Sequence, residues 1–223
     1  MVSGQRDRKV IPMKFNRYIA SRIGVLEWRH FGVGALQAYL FEGPSYEQRL
    51  HIWHESLIAP GIRGFGDMHN HRFSFTSNVL CGAIDDGRYN VTDTPEGDCD
   101  VYQVVNAREQ KQLSGKFDGN VTLSHRANVE LDVRHSRIWQ SGSTYEFPRG
   151  AFHTTRAIGT TVTLVTKYDV VPGQRAEIVV PHGSTLIHAF DQSRNPNIPA
   201  VILEALNALL HGNDTCQDLW QKP

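Results

Sequence analysis

Cysteine is scarce in this chain of 223 residues. Cys81, Cys99 and Cys216 are odd in number and do not stand at zinc-ligand spacing. Neither a disulfide framework nor a cysteine metal site is expected, and free thiols in a reducing compartment fit best. Net charge is missing too: 23 Lys and Arg balance 23 Asp and Glu. That removes the electrostatic case for nucleic acid or an anionic membrane surface as partner. No apolar run is long enough to cross a bilayer. The charged opening lacks the apolar stretch of a secretory leader, so the expected location is cytoplasmic. The sequons at Asn90, Asn120 and Asn213 carry no weight without a secretory route. Internal repeats and low-complexity segments are absent.

What is present is ordinary in bulk: 40% hydrophobic and 21% charged residues, as in a soluble globular protein. The length suits one domain over residues 1–223 with a full core and terminal extensions. Along residues 13–41, Phe15, Tyr18 and Ile19, then Leu36, Tyr39 and Leu40, recur at three-to-four spacing, which predicts helices broken near Gly32 and Gly34. Residues 49–57 read as a strand, with Leu50, Ile52 and His54 on one face and His51, Trp53 and Glu55 on the other. Residues 68–84 follow as one or two strands with a bend. Asp85-Asp86-Gly87 and Pro95-Glu96-Gly97 read as turns. Strands are expected at 100–107, 121–127, 129–139, 143–147, 152–156, 161–168 and 177–180, with a turn at Pro148-Arg149-Gly150. Over 198–211, Val201, Ile202, Ala205, Leu206, Leu209 and Leu210 make one apolar stripe, a helix with Pro199 in its first turn and Gly212 after its end. Many strands between helices confined to the two ends imply an all-β jelly-roll barrel around a ligand cavity, with helices on the outside.

The chemistry is concentrated in two stretches. In the first, His69 and His71 are two apart, so on a strand they point the same way. Two imidazoles on one face, with a third from another strand, make a metal site. Alternation sends Phe73, Phe75 and Ser77 to the same side, where Phe73 and Phe75 would wall a substrate cavity.

These stretches resemble the motifs of the cupin superfamily. Gly142, Pro148, Gly150 and His153 stand at the spacing of the second cupin motif, with Ala157 where an Asn is usual. His69, His71 and Gly82 stand at the spacing of the first. Its leading Gly position is Arg63, with Gly64 one residue late, and its usual metal-binding Glu position is Phe75. The resemblance covers residues 47–191. It implies a double-stranded β-helix barrel and one metal held by His69, His71 and His153. A three-His set without a carboxylate resembles the thiol dioxygenases and some diketone- and ring-cleaving dioxygenases of that superfamily. No equivalent of the Ser-His-Tyr relay typical of thiol dioxygenases follows the third ligand.

By that resemblance the metal is Fe(II) and the expected activity is a non-haem dioxygenase acting on a small molecule with O2. Three imidazoles also suit Zn. A Zn-, Mn- or Ni-dependent isomerase, lyase or hydrolase of a sugar-like metabolite is the alternative, as is a binding cupin without catalysis. Around the metal, His54 is expected to face the cavity. Tyr145 or Tyr168 would donate a phenol hydrogen bond, and Arg156 or Lys167 would pair with a substrate carboxylate. His182 and His188 fall near the end of the barrel region. A homodimer is the expected oligomer.

Overall fold

The computed structural model describes residues 26–31, 33–43, 46–58, 68–105, 122–171 and 173–184. Among these every regular element is a strand: β1 (Trp28–Phe31), β2 (Val33–Glu42), β3 (Glu47–Ile58), β4 (Met68–His69), β5 (Ser74–Asp93), β6 (Cys99–Val105), β7 (Thr122–Gln140), β8 (Thr144–Phe147), β9 (Phe152–Tyr168) and β10 (Ala176–Pro181). The strand order is β1-β2-β3-β9-β4-β10-β6-β7-β5-β8, and β9 also pairs with β5. The circuit β9–β4–β10–β6–β7–β5 therefore returns to β9, and the sheet closes on itself as a barrel does.

The helical expectation for 13–41 fails where the structure describes it. Residues 28–31 and 33–42 are antiparallel strands added beside β3. The reason is burial on both faces of β2. Leu36, Ala38 and Leu40 join Leu50, Ile52 and Leu164 in one apolar cluster, while Ala35 joins Trp53, Phe75 and Phe147 in another. A strand apolar on both sides loses its period-two alternation, and what remains looks helical. Residues 13–25, the 198–211 helix and His188 lie outside the described residues.

A second correction concerns Asp85-Asp86-Gly87. It is no turn but the middle of the 20-residue β5, and Asp86 is 1% exposed. The reading of Asp and Gly as turn formers was overridden by pairing on both edges, with β7 and with β9. Likewise β7 and β9 are continuous where breaks were expected. The turn at Pro95-Glu96 is present and closes with Gly97 N donating to Thr94 O at 3.1 Å.

A bulge at Leu80–Cys81, followed by Gly82, reshapes β5. Phe75 and Val79 pack in the Trp53 cluster, and strict alternation would send Cys81 there too. Instead Cys81 packs with Leu50 and Val162 on the other side, and Ile84 returns to the Trp53 cluster. The β5–β9 register shifts twice between Val79 and Ala83, and Gly82 has φ of 80°. This bulge changes which parity of residue faces the histidines, and so turns Asp86 toward them. Replacing Gly82 by Val should cost about 1–2 kcal/mol from the left-handed backbone alone. Urea denaturation should show a lowered midpoint; an unchanged midpoint would mean that the bulge does not need glycine.

Candidate metal centre

β4 ends on His69, and the chain bends before β5 begins at Ser74. Asn70 anchors the chain ahead of that bend, which falls at Arg72 and Phe73. It is 5% exposed, its backbone N donates to Glu177 O at 2.9 Å, and its side chain both accepts from Glu177 N at 2.7 Å and donates to Glu177 Oε2 at 3.0 Å. With Asn70 tied to β10, His69 and His71 are left beside one another, ring centroids 4.7 Å apart. His153 on β9 is the direct cross-strand partner of His69. The Pro148-Arg149-Gly150 turn delivers it: Gly150, at φ 77°, donates its N–H to His71 O at 2.9 Å. The two stretches singled out in the sequence are thus hydrogen-bonded to each other.

One ligand atom from each of His69, His71 and His153 lies within 4.8 Å of the others. The His71 and His153 Nε2 atoms are 3.1 Å apart. Two nitrogens on a tetrahedral metal at about 2.0–2.1 Å each stand about 3.3 Å from one another, so the spacing fits a shared ion. The ring orientations fit as well. His153 Nδ1 lies 3.1 Å from Asp86 Oδ1 and 3.2 Å from Thr155 Oγ1. A proton on Nδ1 serves the carboxylate and leaves the Nε2 lone pair facing His71, the arrangement in which metal-bound histidines are held.

Asp86 sequesters its charge by pairing. Arg88 Nε donates to Asp86 Oδ2 at 3.1 Å, and Arg88 Nη2 donates to Glu146 O at 3.1 Å. The same guanidinium lies 4.7 Å from the centroid of the Phe147 ring. Burial acts to raise the Asp86 carboxyl, but the His153 hydrogen bond and Arg88 outweigh it and hold it below the ordinary carboxylate value. Burial pushes the His153 imidazole down despite Asp86. His71 is held well below its ordinary value by desolvation, then by His69, His153, Lys167 and His51. Both rings are therefore neutral at pH 7, the form that ligates.

Phenyl rings surround the imidazoles. His71 lies 4.8 Å from Phe73 and 5.2 Å from Phe75 by ring centroids, and Phe147 lies 4.1 Å from His153 and 5.1 Å from Phe75. Phe73 and Phe75 thus both lie against His71, Phe73 from the bend before β5 and Phe75 from β5 itself.

The remaining expected residues divide. Lys167 is 7% exposed, on the histidine side, with Nζ 4.0 Å from the Phe73 centroid. Tyr145 is buried on the same side, one ring removed: it stacks on Trp139 at 5.0 Å and meets Phe75 at 6.4 Å, and burial raises its phenol to about 12. His54 does not face the site. Alternation along β3 puts it with Leu50 and Ile52, opposite Trp53, and the histidine on the site's side is His51. Arg156 is exposed and of the opposite parity to His153 and Thr155, so it too points away. Tyr168 has the opposite parity to Lys167. His182 is an exposed residue whose Nδ1 lies 3.0 Å from Asp100 Oδ1, apart from the cluster. Sequence reasoning missed Asp86, Arg88, Thr155, Phe147, His51, Glu47 and Arg49. Of these, only Phe147 and Thr155 lay inside a motif, and nothing local marks Asp86 as other than a turn residue.

No protein-family model and no curated protein sequence matches the chain. Solved structures similar to it include an RmlC-like cupin from Shewanella frigidimarina NCIMB 400, 12% identical over 67% of this chain and 88% of that one, TM-score 0.36. KdgF from Halomonas sp. is 12% identical over 64% of this chain and 86% of that one, TM-score 0.34. Hydroquinone 1,2-dioxygenase from Sphingomonas sp. TTNP3, with 4-hydroxybenzoate bound, is 10% identical over 60% and 65%, TM-score 0.32. Likenesses this slight decide nothing about the reaction, which must be argued from the residues.

His153→Ala should abolish stoichiometric metal binding, and Asp86→Asn should weaken metal affinity about 10–100-fold by replacing the charged acceptor of Nδ1–H with a weaker neutral one. His182→Ala should leave metal content unchanged. Metal analysis of the purified variants checks all three, and a His153→Ala protein with full metal would sink the assignment.

The histidines also set an acid limit. Burial pushes His51 down to about 3, with Arg49 and Lys167 adding to it, and His71 and His153 are lowered as well. The unfolded chain, with histidine near about 6.5, takes up protons that the folded chain refuses. Stability of the metal-free protein is therefore complete above about pH 6.5 and lost as pH falls toward the folded values. Its urea midpoint should decline steadily between about pH 7 and about pH 4, and a flat profile would contradict the burial of these rings.

Proposed function

We propose that this chain is a metal-dependent cupin enzyme, a non-haem Fe(II) dioxygenase that oxidises a small molecule with O2. The observation that carries the reading is the convergence of three imidazoles with a phenyl ring, Phe75, where a carboxylate ligand would otherwise stand. Three neutral protein donors leave coordination positions for other ligands and leave the charge of the ion undiminished for an anionic donor group. A divalent iron held by His69, His71 and His153 would supply the redox chemistry.

The chain supplies the rest. Asp86 holds the proton of His153 on Nδ1 and so presents Nε2 to the ion, and Arg88 keeps Asp86 ionised. Phe73, Phe75 and Phe147 keep the surroundings of the ion apolar, which favours reaction over release of partly reduced oxygen into water. The same donor set supports a second reading, a Zn-dependent hydrolase, lyase or isomerase, because three neutral imidazoles also suit a zinc ion that activates water.

Metal analysis of the purified protein, followed by an oxygen-electrode screen over thiols, diketones and phenolic acids, separates the two. The expected result is about one metal per chain and iron-dependent oxygen uptake with at least one substrate class, lost in His153→Ala. Metal-replete protein that consumes no oxygen under any iron loading would turn the assignment to the non-oxidative reading.

A further inference from the structure

Burying an ammonium group is costly unless it is paired. Among the described residues no other lysine or arginine is as deeply buried as Lys167, at 7% exposure. Its Nζ donates to Glu47 Oε1 at 3.1 Å, directly across the β3–β9 ladder. That carboxylate is already engaged, because Arg49 Nε donates to the same oxygen. Arg49 in turn donates to the buried Gln37 Oε1 at 3.1 Å and lies 4.4 Å from the Tyr39 centroid. Arg72, on the bend before β5, adds a further positive charge that acts on Lys167. Two cations thus share one carboxylate, with a third close enough to be felt. The Lys167 ammonium responds accordingly: burial, then Arg49, lower its pKa to about 8 against the opposing pull of Glu47.

The position of this surplus charge is set by strand register. Glu47 on β3, Lys167 on β9, Phe75 on β5 and Phe147 on β8 are successive cross-strand partners and form one row on the side that carries the histidines. Phe75 and Phe147 each lie against a metal-site imidazole. Lys167 Nζ stands 4.0 Å from the Phe73 centroid, and Phe73 lies 4.8 Å from His71. One aromatic ring separates the ammonium group from the metal cluster.

We propose that the site takes a small organic acid whose carboxylate is met by Lys167, with its apolar body against Phe73 and its remaining polar end directed at the three-histidine cluster. This rests on the reading of that cluster as a metal centre. The incoming carboxylate takes the place of Glu47 at Nζ or shares it, and Glu47 keeps Arg49 as its partner. Lys167 is then a residue that selects substrate by charge, and the phenyl rings select for an apolar frame. A Lys167–Glu47 pair that only joins β3 to β9 would show no such selection.

The test uses benzoate and benzamide, which share a shape and differ in charge, titrated calorimetrically into purified protein whose metal content is measured in the same samples. Wild type should bind benzoate at least about tenfold more tightly than benzamide, as expected of a charge-assisted contact. Lys167→Met should bring benzoate down to the benzamide level without loss of metal. Lys167→Gln serves the same purpose if the Met variant does not fold. Glu47→Gln should bind benzoate at least as well as wild type, because the competing carboxylate is gone. Equal binding of the two probes by wild type, or of neither, overturns the proposal, as does a benzoate preference that survives in a folded Lys167 variant. A Lys167-dependent benzoate preference in protein that holds no metal supports the anion site and overturns the metal reading instead.

Discussion

The antiparallel ladder between β5 and β9 is the constraint on which everything else rests. It runs from Ser74 opposite Tyr168 to Tyr89 opposite Phe152. At one end it places Phe75 beside Lys167, and at the other it places Arg88 beside His153. The register shifts around Gly82 let both ends present their functional side chains to the same side despite opposite parity in β5. Without that bulge Asp86 would face away from His153, and the imidazole would lose the acceptor that orients it. A one-residue slip of alternation at Leu80–Cys81 therefore decides the chemistry of a side chain further along the same strand.

Charge is handled differently at the two ends of the ladder. At the His153 end the ionic groups balance: Asp86 is enclosed by Arg88 and the imidazole, and its carboxyl stays ionised at 1% exposure. Removing one member of so buried a set costs on the order of 3–5 kcal/mol, because the partner is left charged in a dry place. At the Lys167 end the charges do not balance, and Glu47 divides itself between two cations. A balanced set orients a ligand that is already part of the protein. An unbalanced one is complementary to a charge that the protein does not itself carry.

Between those ends lies an aromatic band of Phe73, Phe75, Tyr145 and Phe147. It desolvates His71 and His153, keeps both rings neutral, and makes them better ligands than exposed histidines at the same pH. The same desolvation would make the site costly to hold together in acid. Apolar packing thus suits the imidazoles to ligate a metal and sets the acid sensitivity expected of them.

The sequence by itself singled out the three histidines that the fold gathers. The spacing of His69 and His71 marks the pair, although His71 lies beyond β4 and the tie of Asn70 to β10 sets the two rings side by side, and the spacing from Gly142 to His153 marks the third through a motif whose glycine at 150 stands at a positive φ. It also marked most of the strands among the described residues from β5 onward, since β-branched and aromatic runs between Gly and Pro punctuation are local signals. Tertiary structure alone decided the residues around the ligands. Asp86 reads as a turn until pairing on both edges turns it into a buried strand residue. Arg156 and Lys167 look alike as candidate anion partners, yet strand parity buries one and exposes the other. His54 and His51 exchange places for the same reason, and β2 passes for a helix because both its faces are buried. Ligand spacing is written within a few residues of chain, whereas parity after a bulge and burial of both faces depend on strands up to about a hundred residues away, which no local pattern records.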